Sequence, residues 1–350
     1  MSGETRYVAE IAEIISRDVF KHFRWNVAAL TDTNFDCVKS QEHSRKDDHT
    51  HPVDVVFYYD DPYLNKTVYL NTDLKSYKKG SISQAQIRGA LKSLASTIDC
   101  ARVSSQWRGR YASSVSGNPE VRGMLFVYNH DNEYDKDFYN HIKPYNPSKT
   151  EKQLNTDSLP LKKKQYLHIV EPKLINYLLT IVNDMKVLAY EDKFPKDKYM
   201  FFYPELTLHK THGNALTRAA TIEMLSGPFL VIKHPAIERI NDETSAKEVV
   251  GDSGYLIYYN RPGGDHREFM YFFDLISRFQ ILDSGEKIKL RVACLDRDKE
   301  ITANYYQAIE AYSQAWGFDQ YKRSLLENIE FELVETYRTS LSSIDVGWRS

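Results

Sequence analysis

Val53-Asp54-Val55-Val56-Phe57-Tyr58, a polar turn holding Asp60-Asp61-Pro62 and Asn65, then Thr67-Val68-Tyr69-Leu70-Asn71-Thr72-Asp73-Leu74-Lys75: these residues decide how the chain is read. Both ends are rich in β-branched and aromatic residues and the middle is rich in turn formers, so the stretch predicts a β-hairpin. Side chains alternate faces along a strand, which places Asn71, Asp73 and Lys75 on one face and Leu74 on the other. Asp54 interrupts the first apolar run in the same way. A strand pair that had the composition to be wholly hydrophobic presents two carboxylates and an ammonium instead. Such a group is a candidate metal site.

The flanks supply more elements. Val8, Ile11, Ile15 and Val19 recur at helical spacing, with Ile14 and Phe23 widening the stripe, so residues 5–23 predict an amphipathic helix with Glu10 and Glu13 at its margins. A first strand is expected near Trp25 to Leu30 or Phe35 to Val38. Beyond Lys75, Ser83 with Gln86 three positions later has the capping-box pattern. The helix it opens runs to about Val103, burying Ile87, Ala90 or Leu91, Leu94, Ile98 and Ala101. Val121 to Tyr128 then reads as a buried strand, and His130-Asp131 as the loop after it.

Asp54, about twenty residues, then Asp73-Leu74-Lys75, with a glutamate-bearing helix before and a long helix after, resembles the PD-(D/E)xK nuclease superfamily. The resemblance covers about residues 5–130. Pro52 stands two residues before Asp54 rather than next to it, and the triplet opens with Asp rather than Glu. The resemblance implies a restriction-endonuclease-like core of order α-β-β-β-α-β on a mixed sheet. It further implies Mg²⁺ (or Mn²⁺) bound by Asp54, Asp73, the backbone carbonyl of Leu74 and a helix acid, Glu10 or Glu13. Lys75 would assist the attacking water. Asp54, Asp73 and Lys75 are then the catalytic set, and the expected activity is metal-dependent hydrolysis of phosphodiester bonds by an endonuclease. DNA as the preferred substrate, a restriction or anti-phage defence setting, and a homodimer or a protein partner of a defence complex follow from the family's usual employment alone. A salt-bridged patch on a sheet edge explains the same charges without chemistry. A non-catalytic nucleic-acid or protein-binding module that keeps the nuclease fold is the second reading. A third is an assembly partner whose C-terminal domain is a docking surface.

The formal net charge of the 350 residues is −2, so any surface for nucleic acid has to be local. From Lys75 to Arg122 nine basic residues stand against Asp99 and Glu120. Within this stretch Lys78, Lys79, Gln86, Arg88, Lys92, Arg108 and Arg110 are the candidate nucleic-acid contacts. Trp107-Arg108-Gly109-Arg110-Tyr111 mixes guanidinium and aromatic groups, which suits phosphate contact and base stacking as well as it suits packing under a loop.

Other features read as structural. Cys37, Cys100 and Cys294 have no CxxC spacing and suggest neither a zinc site nor a disulfide framework. His43, His49 and His51 stand in a polar stretch, Gln41 to Thr50 and just beyond; histidines grouped like this can bind a metal, but interleaved with Lys and Asp they are expected to lie in a solvated loop. His209-Lys210-Thr211-His212 reads as an exposed turn in preference to a pair of metal ligands, and Gly263-Gly264 as a plain turn before a helix with an Asp N-cap. The N-terminus has no apolar signal region and no run approaches a membrane span, so a reduced, cytoplasmic protein is expected.

A chain of this length suggests two domains. Pro144, Pro147 and Pro160 among Ser, Thr and Lys162-Lys163-Lys164 mark a linker at 146–165 between a nuclease-like domain, 1–145, and a second α/β domain, 166–350, for specificity or partner binding. The second half alternates a long helix at about Pro172 to Tyr190 with strands near 199–203, 228–234, 255–260, 287–295 and 329–337. Helices are expected near 214–226, 266–282 and 300–316.

Overall fold

A computed structural model describes residues 3–43, 49–113, 119–138, 142, 156–204, 214–240 and 246–337. The chain forms two compact units, the first reaching Ile175 and the second beginning at Asn176.

The first unit opens with helix α1 (Gly3–His22), followed by strands β1 (Asn26–Val27) and β2 (Thr33–Asp36), the single turn α2 (Ser40–His43), β3 (Thr50–Val53), β4 (Val55–Asp61) and β5 (Lys66–Tyr77). Helices α3 (Gln84–Ala101) and α4 (Ser105–Tyr111) come next, then β6 (Glu120–Asn129) and β7 (Leu167–Val170). The five-stranded sheet has the order β1-β4-β5-β6-β7. The β4–β5 pair is antiparallel, while β5–β6 and β6–β7 are parallel. This is the mixed α/β sheet expected of the hairpin and its flanks. Asn65 takes a positive φ of 50° in the turn between β4 and β5, a conformation Asn tolerates better than most residues.

Pairing along the ladders sorts the side chains between two layers. Phe57, Leu70 and Phe126 share one face, because Phe57 faces Leu70 and Leu74 faces Phe126 in register. There α1 packs, with the Phe20 ring 5.1 Å from Phe57 and 6.0 Å from Phe126. The opposite face carries Val56, Tyr69, Leu125 and Val127, and buries Ile87, Leu91, Leu94 and Ile98 of α3 with Trp107 of α4. Ser83 caps α3 by accepting the Gln86 N–H, so the expected helix start is the observed one. Gly123 of β6 lets two elements close over one strand. A Cβ there would lie 2.4 Å from Leu167 Cδ2 and 2.8 Å from Leu94 Cγ.

Three expectations change here. Residues 167–170, assigned above to the second domain, add a parallel strand to the first sheet, and the unit boundary falls inside the following helix. The end of the expected linker is packed rather than free: Lys162 Nζ and Gln165 Nε2 donate to Asp99 at 2.7 and 2.9 Å. Residues 146–155 of that linker, like His209 to His212, lie outside the described residues. The histidine stretch is not simply a solvated loop either. His51 is 2% exposed, and His43 packs with Cys37 and Cys100.

The second unit is also α/β. It contains most of helix α5 (Pro172–Tyr190), β8 (Met200–Phe201), α6 (Ile222–Ser226), β9 (Phe229–His234), a hairpin of β10 (Ile237–Ile240) and β11 (Lys247–Gly251), and β12 (Gly254–Tyr259). It continues with α7 (His266–Arg278), β13 (Lys287–Val292), α8 (Ile301–Trp316), α9 (Gln320–Glu327) and β14 (Glu330–Leu333). The sheet order is β14-β13-β12-β9-β8, with β12–β13 and β13–β14 parallel. Crossover helices α7 and α8 bury Phe269, Phe272, Phe273, Tyr305 and Tyr312 against it. The hairpin of β10 and β11, and the eight-residue α9, are short elements beyond those expected from the sequence. Asp265 caps α7 as expected. Gly263 has a φ of +71° and a Cβ there would fall 2.4 Å from Ile301 Cγ1, so the glycine pair is a packing turn.

Candidate active site

Asp54 occupies the bend between β3 and β4, one residue before Val55, which pairs with Thr72. Continuing that register sets Asp54 opposite Asp73. Beyond Thr72, β5 overruns the start of β4, so its inner edge no longer has a strand to bond. The Asp54 carboxylate takes that place, accepting the Leu74 N–H at 2.7 Å. The N–H and C=O of one strand residue point to the same side, so the Leu74 carbonyl looks the same way as the bond to Asp54. Lys75, two residues past Asp73 and on its face, donates its ammonium to the Asp73 carboxylate. The structure therefore brings together Asp54, Asp73, Leu74 and Lys75, four residues the sequence singled out.

The electrostatics follow from crowding. Burial, then the facing Asp73 carboxylate, push Asp54 up from 3.8 to about 6, against the Leu74 hydrogen bond and the Lys75 charge. Burial pulls the Lys75 ammonium down, but Asp73 and then Asp54 outweigh it and the net direction is upward. Two carboxylates are thus held closer than they would choose, with a single ammonium to offset them. Bringing a divalent cation there would relieve that repulsion. Oxygen donors of this kind suit Mg²⁺ or Mn²⁺.

The helix acid is not assembled with them. Among the described residues no third His, Cys, Asp or Glu gathers with Asp54 and Asp73. Glu13 pairs with Arg17 at 2.8 Å. Because α1 covers the face of Phe57 and Leu70, a carboxylate from Glu10 or Glu13 has to come round the strand end, since Asp73 and Lys75 point to the other face.

Beneath the site, Asn71 is 1% exposed and accepts the Trp107 indole N–H at 3.1 Å. Trp107 is fully buried and Tyr111 nearly so, and they pack 5.2 Å apart, so neither is a base-stacking platform. The aromatic–basic stretch anchors α4 under β5, the packing alternative weighed from the sequence. Of the candidate nucleic-acid contacts, Lys79 donates to Asp135 at 2.9 Å, Arg88 to Ser158 Oγ at 3.2 Å and Arg110 to the Asn34 carbonyl at 2.6 Å. Gln86, Arg88 and Lys92 are exposed along α3, Lys78 is exposed before it, and Arg108 is half-buried on α4. Ser76 and His130, 3.0 Å apart, tie the end of β5 to the loop after β6. Asp131 accepts the Lys79 N–H at 2.9 Å, which fixes the turn that follows the site.

Residues 1–174 match the family model for the GAPS4 protein PD-(D/E)XK nuclease domain. No curated protein and no solved structure is detectably similar. No helix among the described residues is long and apolar enough to cross a membrane. With the hairpin, the paired aspartates and the lysine in one place and the match covering all of them, the N-terminal domain of this chain belongs to the PD-(D/E)xK nuclease superfamily.

Proposed function

We propose that this protein is a metal-dependent nuclease that hydrolyses phosphodiester bonds, DNA before RNA, in a restriction or anti-phage defence setting. The observation that carries the reading is the register that sets Asp54 opposite Asp73, with the Leu74 N–H bonded to Asp54 and the Lys75 ammonium to Asp73. A structural edge patch would not need two facing carboxylates, one of them pushed up to about 6. Asp54, Asp73 and the Leu74 carbonyl would hold Mg²⁺ or Mn²⁺, with Glu10 or Glu13 as a further ligand. The ion supplies a more acidic water and neutralises charge on the phosphoryl oxygens. Lys75 enters as a cation that orients the attacking water and offsets developing negative charge. Asn71, tied to Trp107, keeps β5 in the register that aims Asp73 and Lys75 at one point. Lys78, Lys79, Gln86, Arg88, Lys92, Arg108 and Arg110 would track the phosphate backbone.

The test is cleavage of plasmid, linear and single-stranded DNA and of RNA, with Mg²⁺, Mn²⁺ or EDTA, beside Asp73→Ala and Lys75→Ala. Metal-dependent cleavage reduced at least about 100-fold in both variants is the expected result, since the metal and the charge it neutralises supply several kcal/mol. Binding of nucleic acid unchanged by the substitutions, with no cleavage under any condition, would favour the binding-module reading.

A further inference from the structure

We propose that Cys37, His43, His51 and Cys100 form a second metal centre, a tetrahedral Cys₂His₂ site for a structural zinc ion. The four residues come from four places: the end of β2, α2, β3 and α3. One ligand atom from each lies within 4.8 Å of all the others. The Cys37 and Cys100 sulfurs are 3.7 Å apart, and His43 Nδ1 is 3.6 Å from the first and 3.4 Å from the second. A tetrahedron with Zn–S of about 2.3 Å and Zn–N of about 2.05 Å has edges of about 3.75 Å between sulfurs and about 3.55 Å from sulfur to nitrogen. The observed separations are those edges to within about 0.2 Å. A disulfide would need the sulfurs at about 2.05 Å and would leave both histidines without a purpose.

The surroundings prepare both imidazoles. His43 Nε2 lies 3.2 Å from Asp99 Oδ2, the carboxylate-to-histidine contact that sets the ring of a zinc ligand. Asp99 is itself held by Lys39, Lys162 and Gln165. Thr97 Oγ1 gives its proton to the Ser93 carbonyl at 2.9 Å, so toward His51 Nδ1, 3.4 Å away, it is an acceptor. The His51 proton then sits on Nδ1 and the lone pair on Nε2. That Nε2 is buried without any hydrogen-bond partner, in a residue 2% exposed. An orphaned buried nitrogen beside two sulfurs and a second imidazole is explained by an ion and by nothing else among the described residues around it. The soft donor set with four protein ligands selects zinc in a closed, structural site, in contrast to the oxygen donors of Asp54 and Asp73. Its position also has a consequence for the nuclease site. His51 is three residues before Asp54, so the ion would pin β3 to α3 and fix the strand that delivers Asp54.

The full chain, purified without a metal-chelating tag, should carry about one zinc per molecule by elemental analysis. Its zinc X-ray absorption should fit two sulfur and two nitrogen neighbours, and cobalt exchanged into it should give the intense visible bands of a tetrahedral thiolate site. Cys37→Ser, Cys100→Ser and His51→Ala should each lose the zinc, while Cys294→Ser should keep it. Should the variants fold poorly, the absorption and cobalt spectra of the unmutated chain decide alone. A zinc-free protein whose Cys37 and Cys100 react freely with a thiol reagent would overturn the proposal, as would a Cys37–Cys100 disulfide or zinc with an all-oxygen shell.

Discussion

Replacing Asp54 with Asn isolates the strain that two facing carboxylates put into the metal-free domain. The amide still offers an oxygen to the Leu74 N–H, now bonded at 2.7 Å, so shape and hydrogen bond are kept while the charge is lost. In the native state the Asp54 carboxyl titrates at about 6 rather than 3.8, through burial and then the Asp73 charge. Between those values the folded protein holds a proton that the unfolded chain has released. Unfolding free energy therefore falls as pH rises through the window from about 4 to about 6. A shift of about two units at about 1.4 kcal/mol each amounts to about 3 kcal/mol. In EDTA at pH 8, Asp54→Asn should exceed the unmutated protein by about that amount, and at pH 4 the two should converge. Hydrogen exchange of the β4 and β5 amides, read as protection against pH, reports this locally and avoids the second unit. Magnesium at about 100 times its dissociation constant should return about 2.7 kcal/mol to the unmutated protein and less to the variant. Equal protection at pH 8, or a difference that is the same at pH 4, would refute the account of Asp54 as a repelled, buried carboxylate.

Two further substitutions probe the supports. Trp107→Phe removes the indole donor and leaves the buried Asn71 oxygen unpaired, so urea denaturation should show a loss of at least about 1–3 kcal/mol in the first unit, and an unchanged midpoint would show that the bond is incidental. In the second unit Asp184 accepts from Arg291 Nε and one guanidinium nitrogen at 2.6 and 2.7 Å and from the Tyr258 hydroxyl at 2.7 Å. Asp184→Ala removes two hydrogen bonds from a largely buried guanidinium that keeps Glu332 as a carboxylate partner, and should cost about 3 kcal/mol by the same measurement, with cleavage chemistry intact wherever the first unit remains folded.

What the sequence determined by itself was local. Alternation of β-branched residues made β4 and β5, the spacing of Ile87, Leu91, Leu94 and Ile98 made α3 with its Ser83 cap, and the same two patterns set most elements of the second unit. Asp54, Asp73 and Lys75 were legible because a short hairpin brings together residues about twenty apart, and strand alternation decides their face. The rest depended on contacts between distant segments. Trp107 looked available for stacking until α4 folded under β5 and gave its indole to Asn71. Leu167–Val170 looked like the far side of a linker until Gly123 left room for it beside β6. Cys37, His43, His51 and Cys100 have no metal-ligand spacing in the chain, since Cys100 comes from the helix that packs behind the sheet. Periodicity is set by the neighbours a residue has along the chain. A metal tetrahedron or a buried hydrogen bond is set by neighbours that only the closed tertiary structure supplies.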